Sequence, residues 1–235
     1  LACRTAAPVP SSQDLPPCPP FAVFERDWSR SPAVVALDSF RGRLFVVGDV
    51  HGMLAEFQES LLRAGLVVRE GSGFAWSGGD ALLIQVGDLV NKGPHSLAAI
   101  DFVEDLAGKA QAVGGRVLVL AGNHEIGTLA KGHLRFYAPI REEAVARGLD
   151  LCRDVLDPRS RYGAWLRTRP AAAFVNGIYV SHSGNSQGRT REDVEAFYRE
   201  MVDRADWSSR QGCGDAKARP PIAGFFNHDV WWGPR

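Results

Sequence analysis

The pattern of hydrophobic and polar residues contains three nearly continuous apolar runs, at 44–47 (LFVV), 82–86 (LLIQV) and 117–120 (VLVL). A strand with one face in water alternates between apolar and polar residues, because its side chains point to opposite faces of the sheet in turn. Continuous runs are instead typical of strands that are covered on both faces. We therefore expect a central sheet that lies between other layers.

Helical spacing of apolar residues follows the first two runs and predicts an α/β protein. The stretch 53–64 carries Leu54, Phe57 and Leu61 on one helix face, and a second helix is predicted at 96–113. Two strands joined by a turn at 39–42 are expected to open the domain, and Asn176-Gly177 predicts a hairpin. Further helices are predicted at 137–147, 161–167 and 191–204, the last of them charged and of surface type.

The N-terminal residues differ in composition from the rest of the chain. Residues 1–20 are rich in Pro, Ser and Ala, cannot build a core, and are predicted to form a disordered tether before a domain at 21–235. Leu-Ala-Cys at the start resembles the end of a bacterial lipoprotein signal, with Cys3 as the lipidated residue. That interpretation predicts a location at the bacterial cell envelope or periplasm. The alternative is a chance tripeptide on a cytoplasmic protein.

Charge and cysteine content exclude several classes of function. The chain has 27 Lys+Arg and 27 Asp+Glu, so its formal net charge of +0 argues against a dedicated nucleic-acid-binding protein. No apolar stretch approaches the roughly 20 residues that cross a bilayer, so a membrane contact is expected only through a lipid at Cys3. The 4 cysteines lack Cys-x-x-Cys spacing, which disfavours a zinc finger, and one or two disulfides cannot be assigned from the sequence.

Polar side chains follow each apolar run. Asp49 and His51 come after the first run as Asp-x-His, and residues two apart in an extended segment point the same way. Asp88 follows the second run and Asn123 follows the third. His182 comes after a later predicted strand, IYV at 178–180. Because sites in open α/β sheets form beyond the carboxyl ends of the strands, we expect these side chains to converge. Mixed nitrogen and oxygen donors suit Mn, Fe, Co or Zn.

Two divalent ions that share a carboxylate, roughly 3.5–4 Å apart, can activate a water and clamp a phosphoryl group. Asp88 is the residue that we expect to bridge such a pair. Taken singly, each of the five side chains has an ordinary structural explanation, as a turn residue or a hydrogen-bonded histidine. Taken together, they predict a metal site.

Four motifs, GDVHG, GDLVNKGP, GNHE and VSHSG, resemble in order and spacing those of the calcineurin-like metallophosphoesterases, and of their phosphoprotein phosphatase branch in particular. The resemblance implies a central β-sandwich flanked by helices, with a dinuclear metal site at the strand ends. It also implies that metal-activated water attacks phosphorus. One ion would be held by Asp49, His51 and Asp88, and the other by Asp88, Asn123 and His182. Manganese is the ion expected to serve in vitro.

The same resemblance assigns the proton and phosphate chemistry. His124 would be the general acid for the leaving oxygen, a task that suits imidazole near neutral pH. Protein phosphatases carry Asp-Arg where this chain has Asn91-Lys92. Asn91 can orient His124 but brings no charge, so we expect a lower pKa for His124. Lys92 can attract phosphate, but it lacks the bidentate fork of Arg.

These departures leave the substrate class open. GNHE, the long insert after it and YGAWLRTRP resemble Shewanella-like protein phosphatases, which implies a phosphorylated protein or a small phosphoester as substrate. GDLVNKGP resembles ApaH-like phosphatases, which implies a phosphoanhydride or a dinucleoside polyphosphate. A third alternative is an inactive, tethered phosphate-binding module.

The C-terminal part of the chain departs from the resemblance. The family has a further metal-ligating His in a Gly-His-Thr-like motif, and this chain reaches Arg235 without one. We therefore expect a domain that is truncated at its C-terminus and has impaired activity. His228 is a weak substitute ligand and is better explained as a surface residue, as are His95 and His133. Arg235 follows a tryptophan pair at a position where relatives carry a phosphate-binding Arg.

Overall fold

The computed structural model describes residues 18–131, 138–182, 185 and 188–204. The predicted tether up to residue 17, the lipidation site Cys3, and the late residues His228 and Arg235 lie outside this part of the chain, as does His133. Within the described residues, no helix is both long enough and apolar enough to cross a bilayer.

The described residues form eight strands in three sheets. Their bounds are β1 (Val34–Leu37), β2 (Leu44–Val47), β3 (Val67–Glu70), β4 (Gly73–Trp76), β5 (Leu82–Gln85), β6 (Arg116–Val119), β7 (Ala172–Val175) and β8 (Ile178–Ser181). Two sheets have three strands each, in the orders β2-β5-β6 and β1-β7-β8, and β3-β4 is a two-stranded hairpin. Every pair in β2-β5-β6 is parallel. In the other sheet β1 and β7 are parallel, and β7-β8 is the predicted antiparallel hairpin.

Helices connect and cover these sheets. Their bounds are α1 (Leu54–Arg63), α2 (Ser96–Gln111), α3 (Asn123–Lys131), α4 (Ala138–Ala146), α5 (Arg161–Arg167) and α6 (Arg191–Arg204), with a π-helical turn at Leu151–Leu156 between α4 and α5. Most match the predicted positions. The sequence pattern predicted neither α3 nor the π-helical turn. α3 begins at Asn123, the polar residue that follows the third apolar run.

The two three-stranded sheets pack face to face as a β-sandwich. Val35 and Ala173 of one sheet share a buried cluster with Leu82, Ile84 and Leu118 of the other. This cluster explains why the runs in β5 and β6 are continuous, since their strands are buried on both faces. β1 and β2 were predicted as two strands joined by a turn, and they belong to different sheets.

Helices bury the outer faces of the sandwich. On one side Leu83 of β5 shares a cluster with Phe57 and Leu61 of α1. On the other side α6 buries Val194 and Tyr198, so this charged helix is amphipathic and not wholly a surface element.

The segment that precedes β1 is tied to the second half of the chain at two points. Cys18 forms a disulfide with Cys152 of the π-helical turn, at a sequence separation of 134 and a Cα–Cα distance of 5.4 Å. The buried guanidinium of Arg26 donates hydrogen bonds to the carbonyls of Arg167, Thr168 and Arg169, at the C-terminus of α5. It thereby caps carbonyls that have no partner within the helix. The disulfide therefore ties Cys18, a residue of the predicted tether at 1–20, to the folded part of the chain.

Candidate metal centre

The carboxyl ends of β2, β5 and β6 meet at one edge, because the three strands are parallel neighbours. Asp49, Asp88 and Asn123 follow these three strands. The end of β8 brings His182 to the same place from the second sheet. The predicted convergence of strand-end side chains is present in the structure.

Asp88 lies at the centre of this group and is 3% exposed. Its Oδ2 is 3.7 Å from His51 Nε2, and its Oδ1 is 3.6 Å from His182 Nε2. Asp49 is also shared: its Oδ2 is 3.2 Å from His51 Nε2 and its Oδ1 is 3.8 Å from His182 Nδ1. Asn123 Oδ1 lies 3.0 Å from His182 Nε2. Asp88 thus presents one oxygen to each side, as a bridging carboxylate must.

The donor atoms fit a pair of metal ions. Among the described residues, His51, Asp88 and His124 form one group with ligand atoms within 4.8 Å of each other, and Asp49, Asp88 and His182 form another. Both groups contain Asp88. This division differs from the ligand sets implied by the resemblance in two ways: Asp49 is grouped with His182, and His124, the expected general acid, is grouped with His51. The assignment of each ligand to an ion stays a prediction.

Several residues of the centre have a left-handed backbone. His51, Asp88, Asn91 and Lys92 have φ values of 51°, 56°, 68° and 62°. This conformation costs an L-residue roughly 1–2 kcal/mol. Such residues persist only when their surroundings hold them, and they cluster at functional sites. The GDLVNKGP loop is therefore built against its local preference.

Two glycines allow the loops after β5 and β6 to approach each other. Gly87 has a φ of 101°, and a Cβ there would collide with the backbone of Ala121 and Gly122. A Cβ on Gly122 would collide with the carboxylate and the amide of Asp88. The glycines in these motifs are thus required by close backbone contact.

Glu125 holds this loop, a role that the sequence analysis did not assign. The side chain is fully buried and accepts hydrogen bonds from the amides of Asp88, Leu89, Val90 and Gly122. Burial, followed by the charge of Asp88, raises the pKa of Glu125. Burial, together with the charge of Asp49, raises the pKa of Asp88. The signal available in the sequence was the acidic residue that ends the GNHE motif.

Asn91 is also buried and lies beside α3. Its backbone amide donates to Ser96 Oγ at 2.8 Å, and its side-chain amide donates to Thr128 Oγ1 at 2.6 Å and to the carbonyl of His124 at 3.4 Å. Its Oδ1 is buried and makes no hydrogen bond with the residues that the structure describes. Asn91 thus contacts the helix turn that carries His124, and its role in orienting the imidazole stays a prediction.

His124 lies in the first turn of α3 and is 2% exposed. Its amide donates to Asp88 Oδ1 at 2.8 Å, and its Nε2 is 3.9 Å from Asp88 Oδ2. The imidazole packs edge-on against His51, with ring centroids 4.7 Å apart. Burial, then the positive charges of His51 and Lys92, lowers the pKa of His124 to about 3. The direction agrees with the sequence-based expectation, but burial is the main cause.

Comparison with known proteins agrees with this geometry. Residues 42–233 match the profile of the calcineurin-like phosphoesterases. The chain belongs to the calcineurin-like phosphoesterase family. The β-sandwich, the flanking helices and the metal-ligand cluster at the strand ends are therefore confirmed as features of that fold.

The relatives of this chain include members of two groups. It is 39% identical over 84 residues to Shewanella-like protein phosphatase 2 of Arabidopsis thaliana, which covers 36% of this chain and 21% of the relative. It is 29% identical over 158 residues to a symmetrical bis(5'-nucleosyl)-tetraphosphatase of Aromatoleum aromaticum, which covers 67% of this chain and 50% of the relative. The chain thus spans half or less of the length of these relatives.

A cold-active protein-tyrosine phosphatase of a psychrophilic Shewanella species shares the fold of this chain. The two structures superpose with a TM-score of 0.62 at 22% identity, over 85% of this chain and 58% of the other. Similarity at this level of identity concerns the fold alone.

Lys92 is exposed, and its Nζ lies 2.6 Å from His51 Nε2. The cation therefore reaches the metal-ligand cluster, and phosphate binding by Lys92 stays a prediction. His95 is exposed, as predicted. Arg235, the other predicted phosphate ligand, lies outside the described residues.

Proposed function

We propose that this calcineurin-like protein is a metal-dependent phosphoester hydrolase of the protein-phosphatase-like type. The single observation that carries the proposal is the placement of Asp88, which belongs to both groups of metal-ligand atoms. A carboxylate shared in this way is the central element of a two-ion site. The relatives named as Shewanella-like protein phosphatases support the choice of substrate class.

The residues have distinct tasks in this proposal. Asp49, His51, Asp88, Asn123 and His182 hold two divalent transition-metal ions, with Mn²⁺ as the ion to test first, ahead of Fe, Zn or Co. Such ions, when bound, would supply a nucleophilic water at neutral pH and offset the negative charge on the phosphoryl oxygens.

Two further side chains act on the substrate itself. Lys92 attracts the phosphate as a point charge from the exposed side of the cluster. His124 delivers a proton from its imidazole to the leaving oxygen, with Asn91 holding the helix turn on which it lies.

The pKa of His124 favours a second candidate function. A histidine whose pKa is lowered to about 3 is unprotonated at neutral pH, and is therefore a poor acid for an alkoxide leaving group. A phosphoanhydride has a phosphate as its leaving group and needs less protonation. The similarity to bis(5'-nucleosyl)-tetraphosphatases points in the same direction. Hydrolysis of a phosphoanhydride or dinucleoside polyphosphate is thus the alternative.

The deciding experiment measures Mn²⁺-dependent hydrolysis of p-nitrophenyl phosphate by the wild type, Asp88→Asn and Asp80→Asn. Asp80 is an exposed aspartate outside the metal-ligand groups, so its variant controls for the loss of one negative charge. We expect turnover by the wild type and the control only. Turnover by all three, or by none, contradicts the proposed centre. Parallel assays with a phosphopeptide and diadenosine tetraphosphate separate the two candidate substrate classes.

Location at the bacterial cell envelope, with a lipid on Cys3, is part of the proposal. The Cys18–Cys152 disulfide supports it, because disulfides persist mainly in oxidising compartments. Metabolic labelling with palmitate in a bacterial host tests the anchor, with Cys3→Ser as the control. Equal labelling of the two proteins contradicts it.

A further inference from the structure

The fully buried side chain of Glu125 binds both loops that carry the metal-ligand side chains. We propose that Glu125 is a positioning residue that fixes the bridging carboxylate of Asp88 and so sets the metal affinity of the centre. The inference rests on the proposed function, since it concerns the same metal centre. It adds a residue to which neither a ligand role nor a catalytic role has been assigned.

The first step is the hydrogen bonding of the Glu125 carboxylate. Oε2 accepts from the amides of Asp88 and Gly122, both at 2.8 Å. Oε1 accepts from the amides of Leu89 at 2.9 Å and Val90 at 3.3 Å. Three of these donors belong to the loop after β5 and one to the loop after β6. A single buried side chain therefore joins two strand ends.

The second step is the conformation of Asp88, which its own sequence does not favour. Its φ is 56°, so neighbouring groups must hold the backbone. The carbonyl of Asp88 accepts from the amides of Val50 and His51 at 3.0 and 2.8 Å, and its amide is held by Glu125. Without the Glu125 carboxylate, buried amides of the loop lose their acceptor, and the loop is driven to rearrange.

The third step is the position of Glu125 in the sequence. Asn123 and His124 directly precede it in the first turn of α3, so the hydrogen bonds that hold Asp88 also hold this turn. The amide of His124 in turn donates to Asp88 Oδ1 at 2.8 Å. The bridging ligand and the start of α3 thus form one unit, with Glu125 at its centre.

Glu125→Gln is the informative substitution because it preserves size. The remaining oxygen can accept only the donors on its own side, and the new NH₂ group faces amide donors on the other side. Glu143→Gln is a matched control. Glu143 is also a buried glutamate that accepts two backbone amides, those of Leu97 and Ala98 at the start of α2. It is absent from both groups of metal-ligand atoms.

The experiment titrates Mn²⁺ into the full chain by calorimetry and records the Mn²⁺ electron paramagnetic resonance spectrum of each variant. We expect Glu125→Gln to bind Mn²⁺ about 10–100-fold more weakly than the wild type, the usual effect of losing a partner that orients a metal ligand. The spectrum of Glu125→Gln should differ from that of the wild type. The Mn²⁺ affinity of Glu143→Gln should stay within about twofold of that of the wild type. Amide hydrogen exchange of the metal-free proteins should be faster at residues 88–90 in Glu125→Gln only.

Each other outcome has a defined meaning. Equal Mn²⁺ affinity of Glu125→Gln and the wild type overturns the inference, as does an equal loss in both Gln variants. If Glu125→Gln does not fold, Glu125→Asp, whose carboxylate is withdrawn by about 1.5 Å, takes its place. Failure of both to fold overturns the positioning role, since Glu125 is then purely structural. Absence of Mn²⁺ binding by the wild type overturns the proposed function instead, and the exchange data still show whether the loop is held.

Discussion

The side-chain amide of Asn91 donates a hydrogen bond to Thr128 Oγ1 at 2.6 Å. Thr128 Oγ1 in turn donates to the carbonyl of His124 at 2.8 Å, one helix turn earlier in α3. Position 91 is therefore coupled to His124 through the backbone of the helix. The Oδ1 atom of Asn91 is buried and has no hydrogen-bond partner in the described part of the chain. It marks the place where a carboxylate oxygen would carry negative charge.

Asn91→Asp should raise phosphomonoester hydrolysis. A carboxylate beside His124 favours the imidazolium and raises the pKa of His124 from about 3, so that more of the acid is protonated at neutral pH. We expect kcat/KM for p-nitrophenyl phosphate to rise about tenfold, a part of the roughly 100-fold or more that a fully effective general acid contributes. The pH profile of kcat/KM checks the cause, with Asn91→Ala as the control for loss of the amide. An unchanged or lower rate contradicts the role of Asn91.

Removal of metal should lower the stability of the protein, and Mn²⁺ should restore it. At a free ion concentration of 100 times Kd the free energy of unfolding rises by about 2.7 kcal/mol. Thermal unfolding with and without a chelator measures the difference. Asp88→Asn should show no increase with Mn²⁺, and an increase equal to that of the wild type would remove Asp88 from the centre.

Asp88→Asn should also alter the pH dependence of the metal-free protein. Burial raises the pKa of Asp88 in the folded state, so its ionisation opposes folding. This free-energy cost is absent below pH 3.8, the ordinary pKa of an aspartate, and it grows as the pH rises through the raised pKa of Asp88. Asp88→Asn should thus gain stability relative to the wild type, by at least about 1 kcal/mol once Asp88 is ionised. Urea unfolding of both proteins at acidic and alkaline pH measures this difference in stability. A gain for Asp88→Asn that is found only at acidic pH would contradict the prediction.

The Cys18–Cys152 disulfide should stabilise the fold by closing a long loop, since the two residues are 134 apart in sequence. Loss of a native disulfide costs about 2–5 kcal/mol in small secreted domains. We expect Cys18→Ser and Cys152→Ser each to lower the free energy of unfolding in urea by a similar amount. The double variant should be no less stable than either single variant. Additive losses would show that the two cysteines act separately.

Arg26→Lys should destabilise the protein although the charge is kept. The guanidinium of Arg26 also donates to the carbonyls of Ser31 and Pro32, beyond those at the end of α5, and the three donors of Lys cannot replace this fork. Unsatisfied buried carbonyls should lower the free energy of unfolding by roughly 3 kcal/mol. Arg30→Lys, at a side chain that is 87% exposed, is the control and should change it by less than about 0.5 kcal/mol. Equal effects of the two substitutions would show that the cap on α5 is unimportant.

Much of the centre was predictable because its residues follow local rules. Asp49, Asp88 and Asn123 each follow an apolar run by one to three residues, and neighbouring parallel strands end at one edge of their sheet. The role of Glu125 was not predictable in this way. It accepts hydrogen bonds from backbone amides, and a backbone amide leaves no signature in the sequence of the loop that it belongs to.

Contacts between distant parts of the chain were the other limit. The pairing of Cys18 with Cys152 and the cap that Arg26 forms on α5 each join residues more than a hundred positions apart. Neither partner carries a local pattern that points to the other. The assignment of β1 and β2 to different sheets has the same cause, since strand pairing depends on the whole core.

The sequence by itself determined the strand ends, the helix periodicity, and the donor types that a metal ion requires, because these depend on residues that are neighbours in the chain. Only the tertiary structure decided that Asp88 lies between two groups of donors, that Glu125 holds its left-handed loop, and that His124 is buried deeply enough for its pKa to fall to about 3. These properties arise from burial and from hydrogen bonds between separate strand ends. They exist only once the two sheets and their helices have packed together.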